Sequence, residues 1–374
     1  MCYFYAGLEP TPSNGPRPTI RPDIINLDKL AFTGGMMTRS KTLPIVLACL
    51  GVVLLGAAAI MAWVVVPRRA QLPADTKTVR DFSGTADVLL NPQAIATGSL
   101  GEALLTGAPV TAQRTVQVVA TDGSAAKTTD ARTLATGSGQ QLGSTNATYA
   151  VDRKTLNGAS DYPADWNATK PNGLTVSWPI GAEKKDYPVW VNETQTTATA
   201  TYVKQEQKNG LGTYVYEVNV PAAAIKDPQV LGTLPTNLSG AALGAIAERL
   251  PLPAEQKAQL AQLLPSLGAQ VPLTYTYESK STVWVEPTTG IVVDTDRRET
   301  RKAGIGSPPI AAAPVYDVTT TFTDQSVDAA VDEASDKKGT IDTFGSTVPW
   351  ILAIAGVVAL LAALLIFLLR RREA

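Results

Sequence analysis

Catalysis needs a group that can take a proton, attack a carbon or hold a metal, and this chain offers few of the usual ones. Its 374 residues contain no histidine. That removes Ser-His-Asp and Cys-His catalysis and the imidazole ligands of most zinc sites. Of the two cysteines, Cys2 lies near the start and Cys49 inside an apolar block, so the middle of the chain has neither disulfide nor thiol chemistry. What remains is paired-carboxylate chemistry, which needs two carboxyl groups about 5–9 Å apart across a cleft. Asp152, Glu183, Asp186, Glu286, Asp294, Asp296 and Glu299 fall near expected strand ends. Plainer roles suit them better: Glu183-Lys184-Lys185-Asp186 reads as a solvated turn, and Glu286-Pro287 as a strand end. No catalytic, cofactor-binding or metal-binding residue is assigned, and the expectation is a non-enzymatic protein without a cofactor.

A second set of residues could bind rather than react. Trp178, Tyr187, Trp190, Tyr202, Tyr275, Tyr277 and Trp284 are spread over the expected strands. They are candidate lining residues for an apolar ligand, and their plainer role is core packing. The net charge of −1 carries no electrostatic footprint for nucleic acid.

Two apolar blocks must position everything else. Val348–Leu369 is 22 residues without a charge and is followed at once by Arg370, Arg371 and Arg372. At about 1.5 Å per residue it spans roughly 33 Å, enough for a hydrocarbon core of about 30 Å. Leu43–Val66 is 24 uncharged residues. It is too long for the apolar core of a signal peptide, and Pro67-Arg68-Arg69 is a poor cleavage site. Both blocks are expected to be transmembrane helices. Arg39 and Lys41 before the first are balanced by Arg68 and Arg69 after it, so orientation rests on the second. The positive-inside rule then predicts residues 370–374 as a cytoplasmic tail, both termini cytoplasmic, and an extracytoplasmic domain over residues 70–340 of an inner-membrane protein. Trp63 and Trp350 fall at the outer helix ends, where interfacial anchors belong. Ala355, Ala359 and Ala363 could pack on Ala58 and Ala62. Residues 1–42, with Pro10, Pro12, Pro16, Pro18 and Pro22, read as a disordered tail.

The outer region is expected to be mainly β, an antiparallel β-rich domain with a small helical insertion at 222–268. Alternating or β-branched runs occur at Val79–Leu90, Arg114–Ala120, Ala147–Asp152, Leu174–Trp178, Thr197–Val203, Tyr214–Val220, Leu273–Val285, Ile291–Asp294 and Val315–Phe322. Turn pairs such as Asn209-Gly210 punctuate them. ATYAVDRKTLNG (147–158) echoes STVWVEPTTG (281–290), a hint of two similar subdomains. In the insertion, Ser239 predicts a capped helix through Leu250, with Leu243, Ile246 and Leu250 on one face, and Pro253–Leu264 a second helix. The pair is expected to cap a sheet edge. Asp328–Lys338 reads as a charged segment ending in a short linker to the membrane.

GLTVSWPIGAEKKDYPVWV (173–191), taken with LPADTKTV (72–79), STVWVEPTTGIVVDTDRRE (281–299), TTTFTDQSVDAAVDEA (319–334) and the two flanking apolar helices, resembles an actinobacterial membrane-protein family labelled porin PorA-like, a domain of unknown function. The resemblance runs from about Met36 to the C-terminus. It implies a β-rich extracytoplasmic domain tied to the membrane of mycolic-acid-bearing bacteria and a part in cell-envelope biogenesis. The main expectation is a non-enzymatic anchored protein that binds an envelope lipid or lipoglycan, or a membrane transporter or other envelope-assembly partner, besides the lipid bilayer itself. One alternative is a channel-forming porin. It would need oligomerisation, because two helices enclose no channel. The other alternative is a carboxylate-dependent enzyme acting on envelope glycan.

Overall fold

The computed structural model describes residues 42–65, 71–91, 94, 95, 97–306 and 309–372. The expected tail, apart from Thr42, and the flanking Arg39, Lys41, Arg68 and Arg69 lie outside the described residues.

Twelve antiparallel strands form one continuous half-barrel sheet. They are β1 (Lys77–Leu90), β2 (Leu104–Leu105), β3 (Ala108–Asp122), β4 (Ala125–Thr136), β5 (Gln141–Asp152), β6 (Tyr187–Val191), β7 (Thr196–Lys208), β8 (Leu211–Ala224), β9 (Asn237–Leu238), β10 (Val271–Val285), β11 (Val292–Ile305) and β12 (Ile310–Phe322). The order across the sheet is β5-β4-β3-β1-β12-β11-β10-β8-β7-β6, with β2 beside β1 and β9 beside β10. The first and last strands meet in the middle, where Phe82 faces Phe322 edge-on at 4.9 Å. Register shifts at Ala86/Val88 on β1 and twice along β11–β12 are bulges of the kind that bend a strand and raise its twist, which is how an open sheet curls.

An open sheet leaves two edges with unpaired backbone groups. Here one segment ties both edges together. The Thr169 carbonyl accepts from Ala150 N at 3.0 Å on β5, and Leu174 N donates to the Pro188 carbonyl at 2.8 Å on β6. Gly173 makes this possible. Its φ is +140°, and a Cβ there would stand 2.8 Å from the Pro188 carbonyl. The expected strand at Leu174–Trp178 is therefore a strap with a single sheet bridge at Leu174, not a member of the ladder.

The echo noted in the sequence maps onto two turns of the same construction. At the end of β5, Asp152 Oδ1 accepts from Lys154 N, Thr155 N and Thr155 Oγ1. Just after β10, Glu286 accepts from Thr288 N, Thr289 N and Thr289 Oγ1. Both carboxylates fasten hairpin turns.

α1 (Leu43–Ile60) precedes the sheet. α2 (Pro228–Leu231), α3 (Gly240–Arg249) and α4 (Ala254–Leu263) form the insertion, and α5 (Asp324–Asp342) and α6 (Val348–Arg372) follow the sheet. Ser239 Oγ caps α3 by accepting from Ala242 N at 3.1 Å. The insertion does not cover a sheet edge. Ile246, Leu250 and Leu260 pack on Leu273, Tyr275, Ile305 and Val315 of the central strands and fill one end of the half-barrel. No linker separates α5 from α6: Asp324–Arg372 is one helix of 49 residues, with a π-turn at Thr343–Thr347. Val327, Ala330 and Ala334 are its buried stripe, and their spacing of three and four is that of one helix face.

α1 and α6 pack along each other, and their mostly exposed surfaces are apolar. Leu43–Trp63 and the Asp324–Arg372 helix are long and apolar enough to cross a membrane. Their closest approach is at glycines: a Cβ on Gly51 would lie 2.8 Å from the Gly356 carbonyl, and one on Gly356 3.0 Å from the Gly51 carbonyl. Ala58, Ala359 and Ala363 are buried in this seam. Ala355 faces outward, and Gly356 takes its place. Small residues allow such backbone contact where both solvent and partner are apolar.

Candidate functional site

The concave face of the half-barrel holds a partly open cavity of about 930 Å³. Its walls are the inward faces of the long strands and the strap. Its lower end is lined by Met61, Thr340, Ile341, Phe344 and Gly345, where the π-turns Met61–Val65 and Thr343–Thr347 pack side by side at the junction of the two long helices. Leu72, Val116, Leu134, Val189, Val218 and Val283 supply apolar wall. Across the middle runs a band of charge.

Period-two alternation puts this charge inside. On β4, Asp130 and Arg132 share one face. On β11, Arg297, Glu299 and Arg301 share another. Register carries Arg114 of β3 beside Arg132, and Tyr316 of β12 beside Arg301. Asp130 is buried and held by two guanidiniums. Arg114 donates to it from Nε at 2.9 Å and Nη2 at 2.8 Å, and Arg132 donates from Nη2 at 3.1 Å. Burial alone would push the Asp130 carboxyl up; the two arginines outweigh it and hold the group well below the usual carboxylate range. Arg114 Nη2 also donates to the Thr175 carbonyl at 2.8 Å, so the charged band anchors the strap.

Glu299 sits in the same balance. Burial raises its carboxyl, and Arg297, Arg132 and Arg301 bring it below its ordinary value. Tyr277 Oη donates to Glu299 Oε1 at 2.8 Å. Burial pushes the phenols of Tyr277, Tyr316 and Tyr149 up, so they remain neutral donors at physiological pH. At the lower end of the cavity, Arg80 Nη2 pairs with Glu333 Oε2 of α5 at 2.6 Å. The lining in all carries seven basic side chains (Arg80, Arg114, Arg132, Arg153, Arg297, Arg301, Lys337) against five carboxylates (Asp130, Glu193, Asp227, Glu299, Glu333).

Of the aromatic candidates, Trp178, Trp190 and Tyr277 line this cavity. Tyr187 and Tyr202 join a ring cluster around buried Tyr216. Tyr275 lies under the insertion, its hydroxyl donating to the Pro235 carbonyl at 2.5 Å. Trp284 lies outside the lining; its Nε1 donates to Glu206 at 3.2 Å, and Lys208 lies over its ring. Of the carboxylate candidates only Glu299 lines the cavity. Glu183 pairs with Lys185, Asp186 accepts from Tyr202 N, and Asp294 pairs with Lys208. Asp296 is exposed and outside the lining. Asp130 and the arginines of β4 and β11 escaped the sequence reading, although Asp130-x-Arg132 and Arg297-x-Glu299-x-Arg301 are alternating charges. No group of three potential metal-ligating side chains occurs among the described residues.

A half-barrel sheet with a cavity crossed by a charged band, carried on two helices of membrane-crossing length, defines a membrane-associated β-protein. The sequence model of the Porin PorA family matches residues 43–365, and the chain belongs to that family. A protein named Porin PorA from Corynebacterium resistens is 26% identical over 242 residues, which cover 54% of this chain and 57% of the relative. A Porin PorA from Corynebacterium amycolatum is 25% identical over 242 residues, covering 56% and 59%. The chain thus matches less than two thirds of the length of these curated relatives. Among solved structures, an exported protein with a YmcC-like fold from Bacteroides fragilis reaches a TM-score of only 0.19 at 9% identity, covering 68% of this chain and 97% of its own.

These matches overturn the expectation of a lipid- or partner-binding component of envelope assembly. The family and both relatives carry the name porin, which was the alternative weighed second.

Proposed function

We propose that the chain is one subunit of a porin, an assembly that passes small hydrophilic solutes across a membrane. The observation that carries this reading is the charged cavity, which runs inside the half-barrel down to the junction of the two long helices. Membrane crossing belongs to α1 and α6 in this reading. The outer face of the sheet carries Asp87, Glu217, Lys280, Arg298 and Asp317, whereas a lipid-facing barrel wall is apolar. Two helices enclose no passage, so several copies are needed. Their helix pairs would ring the pore, and each half-barrel would form a vestibule above it. Charge rings and polar vestibules of this kind set which solutes enter a channel. Arg370–Arg372 would remain on the cytoplasmic side and the half-barrel outside.

The test is planar-bilayer conductance of the purified full-length protein, with the oligomeric state measured in the same detergent. Discrete conductance steps from an oligomeric fraction support the proposal. A monomer that leaves the bilayer silent at all concentrations refutes it.

A further inference from the structure

The charged band is not internally balanced. Arg301 lines the cavity, yet among the described residues its guanidinium makes no hydrogen bond and no ion pair; it lies over the Tyr316 ring at 4.4 Å and acts on Glu299 only by charge at longer range. Its Nε is shielded from solvent and has no partner. Two positions along the same strand face, Glu299 already accepts from Tyr277. Arg297 reaches that carboxylate only at 3.7 Å, beyond hydrogen-bond distance. Arg132 is committed to Asp130. Two guanidiniums on one strand face therefore lack hydrogen-bond acceptors, beside a cavity with ample room for one.

A guanidinium presents five donors in a rigid fork that fits two oxygens of one anion, and a buried donor left unpaired is costly. The Tyr316 ring, 4.4 Å away, backs one face of the fork. We infer that Arg301 and Arg297 form a binding site for a phosphate or carboxylate group inside the half-barrel. This deepens the porin reading by naming the class of solute, and rests on that reading only for passage; binding is measured separately.

The experiment is isothermal titration of the full-length protein in phosphatidylcholine nanodiscs with inorganic phosphate as the probe. Arg301→Gln is the test variant and Arg301→Lys its charge-keeping companion. Arg298→Gln, on the outer face beside Asp317, is the control. The expected result is saturable binding to the native chain and to the control. The affinity should fall about tenfold or more in Arg301→Gln, the loss of one charge-assisted pair, and by less in Arg301→Lys. Unfolding midpoints establish that each variant is folded. Repeating the titration with phosphatidylglycerol in the nanodisc separates two sources of the anion. Unchanged phosphate binding assigns the site to dissolved solutes, and competition assigns it to a lipid phosphate; both keep the site. No saturable binding to the native chain, or equal binding by folded Arg301→Gln, overturns the site. Silent bilayers with intact phosphate binding would instead remove the porin reading and leave the site standing.

Discussion

Replacing Asp130 with Asn should be strongly destabilising. The side chain is 2% exposed and faces guanidiniums that are 25% and 34% exposed. Asn keeps the shape and one acceptor, but leaves two cations without a counter-charge and turns an NH₂ toward donors. Removing one partner of a buried ion pair costs about 3–5 kcal/mol. For a domain of this size that is a fall of roughly 6–15 °C in unfolding midpoint. The sign with pH follows from the depressed carboxyl. Its contribution is complete above the ordinary carboxylate range of about pH 4 and is lost as pH falls through the lowered folded value. The native chain and Asp130→Asn should therefore differ fully at pH 7, begin to approach each other only below about pH 4, and converge as pH falls through the lowered folded value. Thermal unfolding followed by tryptophan fluorescence measures this, and a cycle with Arg114→Gln isolates the pair. A difference below about 1 kcal/mol at pH 7, or one that grows on acidification, would refute the account of the clamp.

Two further perturbations test other joints. Thr323 caps α5 by accepting from Ser326 N at 3.2 Å; Thr323→Ala should lower stability by about 0.5–2 kcal/mol, read from denaturant midpoints. Gly356→Val drives a side chain into Leu55 and the Gly51 backbone. It should destabilise the helix pair by about 1–3 kcal/mol, seen as a lower midpoint in detergent, whereas Val357→Leu on the exposed face should change little.

The membrane helices were legible because an uncharged run of that length has one physical use. The strands rich in Val, Thr and Tyr were legible from alternation, as was the Ser239 cap from its residue type. The inward charge of β4 and most of β11 were not. AAKTTDARTLAT places Asp130 and Arg132 on one face and VVDTDRRETRKAGI places Arg297, Glu299 and Arg301 on one face, with further charges between them, and charge on a strand face ordinarily marks solvent. Here that face turns into a cavity, a fact set by curvature and by strands distant in sequence. The same non-locality hid the strap: Leu174–Trp178 has strand composition, but its partners are Pro188 on β6 and Gly290 in a distant turn. The charged segment Asp328–Lys338 concealed a helix because its buried stripe uses small residues, Ala330 and Ala334, which carry little hydropathy signal.

The central claim is that solutes pass through this cavity, and a cysteine placed in its wall tests it most directly. Cys2 and Cys49 are first replaced by serine. Thr145→Cys then puts a thiol on β5 opposite Arg132, within the lining. Asn219→Cys puts one on the exposed outer face of β8. A charged methanethiosulfonate reagent is added to open channels in a planar bilayer. The account predicts that conductance falls in Thr145→Cys and is unchanged in Asn219→Cys. Undiminished current through fully labelled Thr145→Cys would contradict it.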